Sequence, residues 1–283
     1  MSKNFSFVKT PEEIAASYAN SCKYRMKKVL GFTWLIDENV YRKILPPGLE
    51  PTIPLCYGFV AHFPHAGFSL APYSEGAVFL ICAYNGVPGA YCLSMPIDGP
   101  NEMGILLGRE TYGYPKKAAK IRFERRGEQI IGSIERNGIK FFEVKAAIGP
   151  TNDGKKESDM ELNKETDGFV YLIDFKSTGV GIDKPLSQVM GYENVRLYRQ
   201  KNVDYVYSSE PCSIDLKFTP SEDDPWVELQ PTKILGGTYS IMDTEMFGTE
   251  IVKTYTDDEL ERIRPYLYVR YDTMALGKSL ELY

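Results

Sequence analysis

The spacing of apolar and polar positions divides the chain into a helical entrance, a long run of strands and a helical exit. "TPEEIAASYAN" has Thr10 as N-cap, Pro11 at the first helical position and Glu13 three residues after the cap, a capping box that predicts a helix. "DENVYRKIL" predicts a second short helix, stopped by Pro46, Pro47 and Gly48. Beyond it the pattern turns to strands. "AVFLICAYNGVPGAYCLSMPI" predicts two apolar strands joined around Asn85-Gly86 and Pro88-Gly89, and "MGILLGRE" predicts a third. "KIRFERRGEQIIGSIERNGIKFFEVKAAI" alternates polar and apolar residues, with turns at Gly127 and at Asn137-Gly138, and reads as a three-stranded meander. Residues 151–168 are charged, almost free of apolar side chains, and predict an exposed loop. Strands resume at "FVYLIDFK" and continue through "VRLYRQKNVDYVYSS" and "CSIDLKF". Thr256 and Glu259 repeat the capping box, so a helix closes the pattern. No internal repeat is evident. The prediction is one α+β domain over residues 1–283, dominated by antiparallel sheet, with helices near both ends.

Composition sharpens this picture. The chain is 43% hydrophobic, and its 20 Tyr and 14 Phe, set among 24 Gly and 18 Pro, favour β structure rich in turns. A net charge of -5 argues against nucleic acid, whose phosphates need a basic surface. No apolar run approaches the roughly 18 residues of a membrane span, so no membrane partner is expected. "MSKNFSFVKTPEE" lacks an apolar signal-peptide core, which points to the cytoplasm. Cys22, Cys56, Cys82, Cys92 and Cys212 are odd in number and form no C-x-x-C pair, as expected of free thiols in a reducing compartment. The two histidines, His62 and His65, have a proline between them and no third ligand in view, so neither a metal nor another cofactor is expected. Acid–base chemistry then falls to Lys, Glu, Asp or Tyr.

One stretch carries candidate chemistry. "GRETYGYPKKAAK" sets Lys116 and Lys117 side by side straight after Pro115. A lysine is a nucleophile only as the neutral amine, which at an ordinary pKa is under about one molecule in a thousand at pH 7. Burial and a nearby like charge both favour the neutral form. A neutral amine can attack a carbonyl and form a Schiff base, whose protonated nitrogen draws electrons from the adjacent carbon. Neighbouring residues of a regular strand point to opposite faces, so mutual influence between the two lysines calls for an irregular backbone.

The same stretch resembles the active-site segment of the acetoacetate decarboxylase family, G-R-E followed after three residues by Y-P-K-K. That enzyme is also the standard case of a lysine activated by a neighbouring cation. "VYRKILPPGLEP" and "YSEGAVFLICAYNGVPGAY" extend the resemblance over roughly residues 25–147; the last third matches only in general strand character. The resemblance implies a mainly antiparallel, cone-like β-barrel with flanking helices, assembled as a homo-oligomer and acting on a small keto acid. It implies Lys116 as the Schiff-base lysine, Lys117 as the neighbour that favours its neutral form, and Glu75 as an active-site acid. Tyr114 and Met95 fall where the family lines its pocket. Two positions depart from the family pattern. Lys27, with Arg25 two residues earlier, stands where the family has a carboxylate-assisting arginine. Phe59 stands near the place of a second glutamate. The expected activity is decarboxylation of acetoacetate or a related β-keto acid. Aldol or dehydration chemistry on a 2-oxo acid, or binding of a small ligand without turnover, are the alternatives.

Overall fold

Local sequence signals set the helix starts. In α1 (Pro11–Tyr18) the Thr10 N–H donates to Glu13 Oε2 at 3.0 Å and the Glu13 N–H to Thr10 Oγ1 at 3.2 Å. Asp37 caps α2 (Glu38–Ile44), its carboxylate accepting from the N–H groups of Asn39 and Val40. The chain is described by a computed structural model covering residues 7–18, 23–67, 71–98, 102–154, 168–179, 183 and 190–272. Most of the charged segment expected as a loop over 151–168 lies outside the described residues, as does Cys22.

The strands, in chain order, are β1 (Lys23–Leu35), β2 (Glu50–Phe63), β3 (His65–Ala66), β4 (Tyr73–Tyr84), β5 (Val87–Asp98), β6 (Lys116–Arg126), β7 (Gln129–Arg136), β8 (Ile139–Ile148), β9 (Phe169–Gly179), β10 (Met190–Phe218) and β11 (Lys233–Thr254). Helix α3 (Glu102–Leu106) precedes β6, and α4 (Asp257–Leu267) follows β11. The strands pair in the order β11-β1-β2-β4-β5-β6-β7-β8-β10-β9, and β10 also pairs with β11, so the sheet closes into a ring. Pairing is antiparallel except where β5 meets β6 and β9. The fold is thus mostly strand with a few helices, and the meander of β6, β7 and β8 turns at Gly127 and Asn137-Gly138 as the pattern predicts.

Strand β4 explains the unbroken apolar run "AVFLICAY". It is buried along nearly its whole length and has a core on each face. Val78, Leu80 and Cys82 enter the larger core with Trp34, Phe142 and Trp226, while Ala77, Phe79 and Ile81 enter a second with Met95 and Tyr114. Strand parity sends Glu75 to this second face, with Ala77 and Phe79.

Three expectations need correction. "MGILLGRE" is not a strand: it forms α3 and then a π-helical turn, Leu107–Tyr112. Both edges of β5 are already occupied, by β4 on one side and by β6 and β9 on the other, so a further strand has no pairing partner there. Gly104 and Gly108, four residues apart, share the buried side of the helical turn, which leaves Met103 and Leu106 exposed. The segments around "VRLYRQKNVDYVYSS" and "CSIDLKF" are one 29-residue strand, β10, whose bulges keep its pairing with β11 without a break into two elements. Pro88 and Gly89 lie inside β5; the turn is Asn85-Gly86 alone, both at positive φ.

Candidate active site

Lys116 is the first residue of β6 and pairs in register with Met95 of β5. Its side chain runs beneath Gly108, where a Cβ would stand 2.5 Å from both Lys116 Cδ and Cε. The first glycine of the motif is therefore the space the lysine occupies. Gly113 ends the π-helical turn at φ +85 and lets the chain enter the Tyr114-Pro115 segment. Lys116 Nζ donates to Glu75 Oε2 at 2.5 Å, and the two residues are 6% and 5% exposed.

This pair lies in a cavity of about 130 Å3 whose walls are mostly aromatic and apolar: Phe59, Phe63, Tyr73, Phe79, Met95 and Tyr114. The Tyr114 ring centre is 5.9 Å from Lys116 Nζ. Burial holds the hydroxyls of Tyr73 and Tyr114 and the thiol of Cys92 well above their ordinary pKa, with the Glu75 charge adding to each. Those groups stay neutral around the ion pair. A second chamber of about 120 Å3 adjoins the first, sharing Lys27, Phe59, Phe63, Phe79, Asn202 and Thr244 with it.

The structure sorts the sequence candidates. Lys116, Glu75, Tyr114, Met95, Phe59 and Lys27 all line the first chamber. Arg25 does not: its guanidinium pairs with Asp243 at the surface, and its side chain is 61% exposed. In a regular strand Arg25 and Lys27 would share a face. A bulge between Tyr24 and Lys27, with Met26 at φ +54, puts Tyr24 and Lys27 in the cavity instead and turns Arg25 away. Lys27 is not an unencumbered cation, since its Nζ donates to Asp204 Oδ1 at 3.1 Å.

Lys117 leaves the cavity too. The start of β6 is a regular strand paired with β5, so Lys117 points to the other face. There its Nζ donates to the Asp223 carbonyl at 2.6 Å and pairs with Asp224 at 3.4 Å and Asp272 at 3.2 Å. Its charge is committed to those carboxylates rather than facing Lys116.

Sequence reasoning missed Phe63, Tyr73, Phe79, Asn202, Asp204 and Thr244. Phe79 was legible from strand parity with Glu75. Asn202, Asp204 and Thr244 lie on β10 and β11, in the third of the chain where no motif marks them. Among the described residues no group of three or more His, Cys, Asp or Glu is placed to hold a metal ion, and no helix is long and apolar enough to cross a membrane.

A lysine paired to a glutamate inside a closed ring of strands, on the G-R-E and Y-P-K-K segment, defines a family. Residues 9–256 match the model of acetoacetate decarboxylase (ADC), and the chain belongs to that family. Over an alignment of 288 residues it is 28% identical to a protein of Lactiplantibacillus plantarum described as a CLA biosynthesis isomerase, covering 98% of this chain and 99% of that one. It is 30% identical over 235 residues to an acetoacetate decarboxylase of Burkholderia lata, covering 81% of this chain and 87% of that one. The fold is similar to a crystal structure of acetoacetate decarboxylase from Legionella pneumophila, at a TM-score of 0.69 and 20% identity, over 82% of this chain and 87% of that one. It is also similar to the enduracididine biosynthesis enzyme MppR complexed with the condensation product of pyruvate and imidazole 4-carboxaldehyde. There the TM-score is 0.67 at 16% identity, over 90% of this chain and 98% of that one.

Proposed function

We propose that the chain is a Schiff-base enzyme in which Lys116 attacks a ketone and Glu75 carries the proton. The observation that supports this most is the buried Lys116–Glu75 pair inside an aromatic cavity. Two charges removed from water are costly to keep, and such pairs recur where chemistry uses them. In the proposed sequence the Lys116 nitrogen bonds to the carbonyl carbon, the carbonyl oxygen leaves as water, and an iminium remains. The iminium is the electron sink, so no step calls for a metal, and chelators should leave activity unchanged.

The reaction we favour is a proton shift. Glu75 takes a proton from a carbon conjugated with the iminium, and the electron pair moves into the iminium to leave an enamine. The proton returns at a different carbon, the double bond has moved, and water releases the product and Lys116. Two observations favour this over chemistry that retains a carboxylate. The cavity's second lysine, Lys27, is paired with Asp204, and the relative aligned over nearly the whole chain is described as an isomerase.

Decarboxylation of acetoacetate or a related β-keto acid is the second reading, supported by the family and by the Burkholderia relatives. It uses the same iminium, with carbon dioxide rather than a proton leaving the adjacent carbon. The apolar wall around Phe59 and Phe79 suits it as well, because it disfavours the carboxylate charge. The test is to follow an unsaturated ketone for movement of its double bond, and acetoacetate for carbon dioxide, in parallel. Double-bond movement without carbon dioxide supports the isomerase reading, and carbon dioxide release decides for the decarboxylase.

A further inference from the structure

One wall of the catalytic cavity ends on a carbonyl held by a distant arginine. Gly104, Leu107, Gly108, Thr111 and Tyr112, from α3 and the π-helical turn, form that wall. The Gly108 carbonyl closes the turn, accepting from the N–H groups of Gly113 and Tyr114, the latter at 2.9 Å. From there to the lysine, main-chain groups hold one another. The Lys116 N–H donates to the Tyr114 carbonyl at 2.8 Å, and the Met95 N–H to the Pro115 carbonyl at 3.4 Å. The Gly113 carbonyl instead takes its donor from a side chain. Arg270 Nη2, 157 residues further along the chain, donates to it at 2.6 Å.

The same nitrogen donates to the Ile173 carbonyl of β9. It carries two hydrogens, so both are used, and a single atom joins the turn before Lys116 to β9. Arg270 is 7% exposed, and its guanidinium lies 4.3 Å from the centre of the Phe175 ring. Burial lowers its pKa to about 10, which leaves it a cation at pH 7. Asp174 stands 3.8 Å from the guanidinium, beyond a hydrogen bond. The hydrogens of this buried charge thus go to two main-chain carbonyls rather than to the carboxylate beside it. The hold falls where the chain would otherwise be freest, because Gly113 sits at φ +85 and a glycine peptide turns with little steric penalty. The fit is close: a Cβ on Gly113 would stand 3.2 Å from Asp174 Cβ and 3.3 Å from Arg270 Nη2. Any turn of Gly113 is passed to Gly108, against which Lys116 Cδ and Cε pack.

We infer that Arg270 is a positioning residue for the imine-forming lysine: by holding the Gly113 carbonyl it fixes the turn that walls the cavity and sets Lys116 beside Glu75. It lines no part of the cavity itself and acts through Gly113. The step it serves rests on the Schiff-base reading.

The test follows borohydride trapping of 2-butanone on the intact protein as the ketone concentration is raised, in the native chain, Arg270→Ala and Arg270→Lys. A displacement on the order of 1 Å costs about a hundredfold in rate. The maximal trapping rate of Arg270→Ala should fall by that order, while the half-saturating concentration stays near native. Guanidinium ion, well below denaturing concentration, should restore much of the lost rate by supplying the planar donor, and ammonium should not. Arg270→Lys keeps the charge without the fork and should fall between the two. If Arg270→Ala does not fold, Arg270→Lys and Phe175→Leu carry the test, each losing maximal rate at a native circular dichroism spectrum. A merely structural role would lower the melting temperature and leave the maximal rate of the folded chain unchanged. Hydrogen exchange of the peptide spanning residues 107–116 needs no imine, and it should quicken in the variants more than in the rest of the sheet. If the native protein forms no adduct, the Schiff-base reading fails, and quickened exchange there still supports Arg270's hold on the turn. Native exchange in that peptide, a native maximal rate in the folded variants, or a loss that guanidinium does not selectively restore would overturn the assignment.

Discussion

Lys116 and Lys117 are neighbours in the chain and face opposite sides of β6: one donates to Glu75 in the cavity, the other is held by Asp224 and Asp272 behind it. Arg136 reaches the same two aspartates, at 2.7 Å and 2.8 Å, so Lys117 belongs to a buried network that ties the segment after α4 to the start of β6. Lys117→Met should therefore act first on stability. Removing one partner of a buried ion pair costs about 3 kcal/mol at the lower end, the end that fits here because Arg136 still holds both carboxylates. Urea unfolding checks this: the midpoint should fall with the slope unchanged. An unchanged midpoint would contradict the network.

Gly108 is predicted to matter through Lys116. In Gly108→Ala the new Cβ would stand 2.5 Å from Lys116 Cδ and Cε, and the side chain must move away from its place beside Glu75. A displacement on the order of 1 Å costs about a hundredfold in rate. The imine-trapping rate should fall by that order while the circular dichroism spectrum stays native. Trapping at the native rate would mean the lysine has room that this geometry denies it.

Asp204 should set how the cavity treats carboxylates. Asp204→Asn removes the charge that Lys27 pairs with and leaves its ammonium available to a ligand. One charge-assisted hydrogen bond is worth about 1.5 kcal/mol, roughly tenfold. Trapping of keto acids relative to neutral ketones should rise by about that factor in a competition read by mass. An unchanged ratio would place Lys27 outside substrate recognition.

The two halves of the site were unequally legible. Glu75, Lys116 and Tyr114 lie on the motif-bearing segments, and the parity of β4 alone places Phe79 on the same face as Glu75. Capping boxes at Thr10 and Thr256 marked their helices because the signal is local: two side chains and two N–H groups within four residues. The helix at Glu102–Leu106 was hidden because its apolar run satisfies a strand pattern equally well, and only the occupied edges of β5 exclude a strand. Arg25 was misassigned because a bulge, which no composition rule announces, reverses the parity of β1 before Lys27. Asn202, Asp204 and Thr244 reach the site through the long-range pairing of β10 and β11, and nothing in their neighbours along the chain points to it.

The cap of α4 supplies a pH test. The Glu259 carboxyl is held down to about 2 from its usual 4.5, first by the hydrogen bond from Lys253 and then by the Thr256 N–H. A depressed carboxyl contributes stability that is complete above its unfolded pKa and is lost as pH falls through the folded one. Glu259→Gln should thus lower the melting temperature at pH 7, and the difference from the native chain should shrink between about pH 4.5 and pH 2. A difference constant across that window would contradict the assignment.

The central claim is that Lys116 forms the covalent imine. Incubation with a ketone and borohydride, followed by digestion and mass analysis, reads the site of attachment directly. The added mass should fall on the peptide at Lys116 and disappear in Lys116→Arg, which keeps a positive charge beside Glu75 without a nucleophilic amine. Attachment at Lys117 or Lys27, or no attachment at any lysine, would contradict it.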